Sequence, residues 1–146
     1  MHNARMTAAP DSPTLHRVGR LALGLLALAV CASALHASPL LRCELTYAGS
    51  TQTLDATPVE DPYPVASVDV GGRFRFKAVM VGNEHQADYI KLYAYLDAKR
   101  QPILVQQVTY LPPFPTGNTL TGKQFIYAGP VERELQYECR LNGVTP

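Results

Sequence analysis

The chain has 146 residues, of which 47% are hydrophobic, 17% charged and 8% aromatic. This composition is typical of one globular domain and excludes an intrinsically disordered chain, which would combine few apolar residues with a high net charge. The formal net charge of +1 argues against a dedicated nucleic-acid-binding protein, since such proteins carry a basic excess.

An apolar segment near the start of the chain predicts a secretory signal peptide over residues 1–37. Residues 21–37 contain no Asp, Glu, Lys or Arg, and Arg5, Arg17 and Arg20 precede them. A basic region, a short apolar stretch and small residues at its end are the three parts of such a peptide. The stretch has about 17 residues, which is the lower limit for a helix that spans a bilayer. We therefore interpret it as a cleaved signal rather than as a membrane anchor, and we expect no membrane span after cleavage.

We expect cleavage after Ala37, which releases one exported domain over residues 38–146. Cleavage after Ala34 is the alternative, because positions 32 and 34 also fit the small-x-small pattern. A lipid anchor through Cys31 is a third alternative, since residues 28–31 are similar to a lipobox, although Val30 is bulkier than the usual residue there. The expected localisation is therefore periplasmic or secreted, with a lipid-anchored form as the alternative.

The composition of the expected mature domain excludes several kinds of chemistry. Its ten basic and eleven acidic residues leave it nearly neutral, so it does not bind an anionic polymer through bulk charge. His85 is its only histidine, and a serine or cysteine nucleophile requires an adjacent base, usually a histidine. Zinc and copper sites require more Cys, His or Met ligands than the domain contains. We therefore expect no metal ion, no cofactor and no such catalytic residue.

Cys43 and Cys139 are the two cysteines that remain after residue 37. Each lies in a segment of alternating apolar and polar residues, which is the period of a half-buried strand. Each also shares the parity of the apolar residues, so both are expected to face the core. In an oxidising compartment we predict a disulfide between them. Two free buried thiols are the alternative.

Short strand candidates fill the chain after residue 38, and no helical period of useful length occurs there. The candidates are residues 41–47, 51–57, 66–70, 73–81, 89–96, 103–110, 124–128 and 133–141. Two proline-rich loops, 58–64 and 111–122, and a Gly71–Gly72 hairpin signal separate some of them. This spacing predicts an all-β fold, a small immunoglobulin-like β-sandwich of about seven or eight strands. A small β-barrel is the alternative.

All eight tyrosines of the chain fall after residue 37. Tyr89, Tyr93 and Tyr95 share one face of a candidate strand with Lys91, whereas the alternate residues are aliphatic and belong to the core face. Tyrosine is enriched at binding surfaces because it combines apolar area with a hydroxyl group. We interpret these four residues as a candidate binding site. In the alternative, the segment Pro112–Pro115 folds over the rings and covers them.

Two charged segments alternate with apolar residues and so place their charges on one face each. They are Arg73, Arg75 and Lys77 in one strand candidate, and Glu132, Glu134 and Glu138 around the last one. We expect these opposite charges to face each other across a pair of strands, where each pair contributes about 0.2–1 kcal/mol. A site for an anionic ligand at the basic segment is the alternative.

These observations favour an exported, non-catalytic binding or accessory module for a protein, a peptide or another component of the cell envelope. A small periplasmic hydrolase with a pair of carboxylates is the second candidate, because the sequence does not reveal which of eleven acids converge. A structural subunit of an envelope assembly is the third. An exposed aromatic face favours the first function, a cleft with two carboxylates the second, and an unpaired edge strand the third.

Sequencing the N-terminus of the exported protein tests the position of cleavage. We expect the first residue to be Ser38, because the apolar stretch ends at Ala37 and the first strand candidate follows shortly after it. A start at Leu35 would move the cleavage site to Ala34. A lipid-modified Cys31 would instead place the protein on a membrane.

Overall fold

The computed structural model describes residues 37–115, 119–129 and 133–143. Within these ranges the chain is all-β: nine strands form two sheets, and no helix is present. Residues 1–36 of the predicted signal peptide, including Cys31, lie outside the described residues.

The four-stranded sheet has the order β2-β1-β9-β8, and its neighbouring strands are antiparallel. Its strands are β1 (Leu40–Tyr47), β2 (Ser50–Ala56), β8 (Thr119–Ala128) and β9 (Arg133–Asn142). Leu41, Cys43 and Leu45 of β1 are fully buried, because alternate side chains of a strand point to the same face.

The five-stranded sheet has β5 and β6 at its centre. Its strands are β3 (Pro58–Val59), β4 (Val68–Val70), β5 (Phe74–Gly82), β6 (Ala87–Leu96) and β7 (Ile103–Tyr110). Their order is β3-β5-β6-β7, and β4 also pairs with β5. Only β3 runs parallel to its neighbour among these described strands. Because β6 has a partner on each side, its outer side chains lie in the middle of a sheet surface.

One cluster of buried side chains holds the two sheets together. The rings of Phe76 in β5 and Tyr137 in β9 lie 5.0 Å apart, and the Tyr137 hydroxyl donates a hydrogen bond of 2.9 Å to Oε1 of Gln106 in β7. No pairing of described strands joins one sheet to the other. The architecture is therefore that of two sheets packed face to face, as in a β-sandwich, and the closed barrel is excluded for the described chain.

The predicted disulfide between Cys43 and Cys139 is confirmed. The two residues oppose each other directly in the pairing of β1 with β9, and their Cα atoms lie 4.0 Å apart. Both side chains are fully buried, as the shared parity indicated. The bond closes a sequence separation of 96 residues and is compatible with an exported protein, since disulfides persist in oxidising compartments.

The Gly71–Gly72 pair turns the chain between β4 and β5, as the sequence predicts. Both glycines have positive φ angles, 61° and 63°, the combination that a type I′ hairpin turn requires. A Cβ atom at Gly71 would lie 2.5 Å from Cδ1 of the Tyr47 ring. Glycine is therefore required at position 71 by both the backbone conformation and the contact with β1.

The largest differences from the sequence-based expectation concern β3 and the start of β8. Pro58 and Val59, assigned to an unpaired loop, form the short strand β3 beside Met80 and Val81. A proline is tolerated there because β3 lies at the edge of its sheet. In addition, β8 begins inside the predicted loop 111–122. Its pairing with β9 is irregular between Thr119 and Gly122, and Gly122 adopts a positive φ of 63° at this irregularity.

Replacing both cysteines by alanine tests how far the disulfide stabilises the fold. The chain-entropy model gives about 4–5 kcal/mol for a loop of this length, and native bridges of small exported domains contribute about 2–5 kcal/mol. We expect Cys43→Ala/Cys139→Ala to lose that much free energy of unfolding in urea. The matched control is the unmodified chain in reductant, which should lose a similar amount. Two free thiols in non-reducing peptide mapping would contradict the bond.

Candidate functional site

The strand β6 places the candidate binding residues on the outer surface of the five-stranded sheet. Ile90, Leu92 and Ala94 face inward and are at most 1% exposed. The alternate positions, which carry Tyr89, Lys91, Tyr93 and Tyr95, face outward and are half-buried. The neighbouring strand β5 adds Arg75 and Lys77 to the same side, opposite Tyr95 and Tyr93. We call these six residues together the tyrosine face.

On the tyrosine face, two tyrosine rings stack on each other, and lysine ammonium groups lie over tyrosine rings. The rings of Tyr93 and Tyr95 are stacked, with centroids 6.3 Å apart and an interplanar angle of 12°. Lys91 Nζ lies 5.2 Å from the centroid of Tyr89, and Lys77 Nζ lies 6.0 Å from that of Tyr93. A cation in such a position contributes about 0.5–1 kcal/mol at an exposed site, so these contacts orient the ammonium groups without neutralising them.

The expected pairing of the basic and acidic segments is wrong. The strand β5, which holds Arg75 and Lys77, belongs to the five-stranded sheet, whereas Glu134 and Glu138 lie on β9 of the other sheet. Glu132 lies outside the described residues. The basic side chains instead face tyrosines of the adjacent strand β6. Chain order could have indicated the correct neighbour of β5, because strands that are consecutive in the chain usually pair.

The cations of the tyrosine face have no carboxylate partner within the described parts of the chain. The two ion pairs found there, Arg42–Asp55 and Arg140–Glu138, belong to the four-stranded sheet. Arg75 donates to Oγ and the carbonyl oxygen of Ser67. Asp69 opposes Arg75 in the pairing of β4 with β5, yet its carboxylate accepts a hydrogen bond from the backbone of Gly72. Lys77 and Lys91 therefore have no ion-pair partner among the described residues, whereas Arg75 has the carboxylate of Asp69 beside it without an ion pair.

The proline-rich segment does not cover the tyrosine face. Phe114 packs against the core cluster between the sheets, and Pro112, Pro113 and Pro115 are exposed. Val79, which opposes Lys91 on the same side, is only 2% exposed, although it points away from the core.

Burial raises the pKa of several phenol groups of the sandwich, including those of Tyr95 and Tyr137. Burial, together with the neighbouring Tyr93, raises the pKa of Tyr95. Burial and, to a smaller extent, Tyr110 raise the pKa of Tyr137 to about 12. Sequence analysis did not single out Tyr137 or its partner Gln106, since the contact joins strands of different sheets and leaves no pattern along the chain. On the tyrosine face, the raised pKa of Tyr95 leaves its hydroxyl group available as a hydrogen-bond donor.

The described residues do not assemble a catalytic or metal centre of the kinds considered. His85 is exposed in the loop between β5 and β6, and within the described chain no three His, Cys, Asp or Glu side chains cluster as metal ligands would. Glu44 and Glu138 oppose each other in paired strands, but they lie on an open sheet surface. A hydrogen bond from Arg42 lowers the pKa of Asp55. A hydrogen bond from Tyr127 lowers the pKa of Glu134.

Comparison with family models, with curated protein sequences and with solved structures gives no match to this chain. Among the described residues, no helix of the length and apolar character needed to cross a membrane is found. The functional assignment therefore rests on the chemistry of the tyrosine face.

Truncating Tyr93 measures how much of its ring is held by the sheet. We expect Tyr93→Ala to lower the free energy of unfolding by about 1–2 kcal/mol, between the effects of exposed and core positions. Tyr63→Ala is the matched control, because that ring is 89% exposed and its loss should change stability by no more than about 0.5 kcal/mol. A loss of about 3–5 kcal/mol for Tyr93→Ala would instead place its ring in the core.

Proposed function

We propose that this chain is an exported, non-catalytic binding module whose tyrosine face binds an extended anionic segment of a protein or peptide in the cell envelope. The observation that supports the proposal is that Lys77 and Lys91 have no ion-pair partner among the described residues and that each lies over a tyrosine ring. Arg75 adds a third cation opposite Tyr95. A local cationic surface on a nearly neutral domain attracts anionic groups at short range.

The dimensions of the tyrosine face suit an extended ligand. Same-face residues on a strand lie about 6.5–7 Å apart, so Tyr89 and Tyr95 are separated by about 20 Å. The stacked rings of Tyr93 and Tyr95 offer a flat apolar surface, and their hydroxyl groups add hydrogen-bond donors at low cost in side-chain entropy. Acidic side chains of the ligand would lie beside the ammonium groups, while its apolar portions cover the rings.

The proposal includes an immunoglobulin-like sandwich located in the periplasm or secreted, with the lipid-anchored form through Cys31 as the alternative. Two antiparallel-rich sheets around one core support this architecture. One feature differs from antibody domains: the disulfide lies within a single sheet, whereas theirs connects the two sheets.

A second function, the structural subunit of an envelope assembly, is favoured by the unpaired edge of β7. Within the described chain, β7 pairs with β6 alone. An exposed edge offers backbone groups to a strand from another molecule. A structural subunit would bind through the edge of the five-stranded sheet, whereas the binding module would bind through its outer surface. Variants at the edge and on the surface can therefore separate the two functions.

Binding of fluorescein-labelled poly-L-glutamate, measured by anisotropy at low salt, tests the tyrosine face. We expect Lys77→Gln/Lys91→Gln to weaken binding about tenfold, which corresponds to 1.4 kcal/mol, because both charges beside the rings are removed. Binding should also weaken as salt rises, since exposed charges are screened.

The control variant is Lys123→Gln, which removes an exposed charge from β8 on the other sheet. It should bind the labelled polymer as the unmodified protein does. Equal weakening by both variants, or equal binding of labelled poly-L-lysine, would contradict the proposed site. Tyr93→Ala, once shown to be folded, should weaken binding further than Tyr63→Ala.

A further inference from the structure

The free edge of β7 combines apolar exposure with a lack of charge. Ile103, Leu104 and Val105 are 51%, 50% and 37% exposed, and Leu111, just beyond the strand, is 66% exposed. No charged residue occurs between Gln101 and Pro115. Natural proteins protect sheet edges with charged side chains, prolines, bulges or covering segments. Within β7 itself neither lysine nor proline is present. This edge therefore lacks the two protections that depend on residue type, charged side chains and prolines.

A bulge divides β7 and defines its regular part. Ala94 pairs with Gln106 and Tyr95 with Leu104, so Val105 has no opposite residue in β6. The segment from Gln106 to Tyr110 is continuous, and at about 3.4 Å per residue it is about 17 Å long. This is the usual length of a strand in a folded protein. The free side of β7 therefore has space for one ordinary antiparallel partner.

We propose that this partner is β7 of a second copy of the chain, paired antiparallel about a two-fold axis at Val108. A two-fold interface requires a surface that is complementary to itself. In this register Gln107 lies opposite Thr109 of the second copy, and the exposed Val105 lies opposite the exposed Leu111. Gln107 Nε2 already donates to Thr109 Oγ1 within one chain, at 3.3 Å, so the same two groups are available for exchange between copies.

The charges beside β7 favour a second copy over a charged peptide. Along the chain, the nearest basic residues, Lys99 and Arg100, precede β7, and Leu111 to Pro115 after it are uncharged. Within the sheet, Lys91 lies opposite Thr109 but belongs to β6, one strand inside the free edge. Antiparallel pairing puts the two basic ends at opposite ends of the interface, so they do not repel each other at close range. A charged peptide would find no complementary charge on β7 itself, whereas an identical strand covers the exposed aliphatic side chains.

The size of the contact sets the strength of the dimer. Each copy contributes the segment from Val105 to Leu111, which has far fewer residues than the 20–30 of a standard interface. We therefore expect a weak, concentration-dependent dimer, with a dissociation constant above about 1 μM. Pairing at Val108 joins the two five-stranded sheets edge to edge and leaves both tyrosine faces on the same side. The inference is independent of what the tyrosine face binds.

Sedimentation equilibrium from about 1 μM to 1 mM, on protein purified after expression of the full chain, tests the pairing. We expect the mass of the unmodified protein to approach twice that of one chain. Gln107→Lys adds a charge at the exposed centre of the edge and should give a single-chain mass throughout. The control variant Thr53→Lys adds the same charge on β2, at the exposed edge of the other sheet, and should dimerise normally.

Amide hydrogen exchange of the unmodified protein gives a second readout that does not depend on any variant. Amides of β7 should become more protected as the protein concentration rises, while those of the edge strand β2 should not change. A single-chain mass at 1 mM would overturn the proposal and leave the edge to a strand of another protein. Dimers that persist in Gln107→Lys, or are lost equally in Thr53→Lys, would also overturn it.

Discussion

The pairing of β1 with β9 is the constraint on which the rest of the sandwich depends. It joins two hairpins that are distant in the chain into one sheet, and it aligns the buried rows of both strands so that Cys43 meets Cys139. Those rows form one side of the core, against which β5 and β6 pack. The inner face of β6 is fixed by that contact. Its outer face, with the tyrosines, is consequently presented to solvent at the centre of a supported sheet.

The two outer surfaces of the sandwich differ in how their charges are arranged. On the four-stranded sheet Arg42 binds Asp55 through two hydrogen bonds, and the pair raises the pKa of the arginine and lowers that of the acid. Acids and bases are mixed on that surface and satisfy each other. On the five-stranded sheet the bases stand beside aromatic rings. The described ion pairs therefore lie on one side of the domain only, whereas Lys77 and Lys91 on the other side have none.

Alternation with a period of two was sufficient to predict the strands, the parity of both cysteines and the shared face of Tyr89, Tyr93 and Tyr95. Those features depend on neighbours along the chain. The sheet to which each strand belongs depends on long-range packing, which alternation does not encode. That is why the basic side chains of β5 were assigned the wrong partners, and why the contact of Tyr137 with Gln106 was not foreseen. The outer position of the tyrosines and of Lys91 was predictable from alternation, but the placement of Arg75 and Lys77 beside them was not.

The separation of 96 residues between the paired cysteines also has a consequence in time. A chain that emerges N-terminus first completes the β1–β2 hairpin long before β9 exists. During that interval the unpaired edge of β1 and the thiol of Cys43 are accessible to proteases, oxidants and other thiols. The four-stranded sheet can be completed only when its distant strand arrives, so both the pairing of β1 with β9 and the disulfide are late events in the formation of the fold.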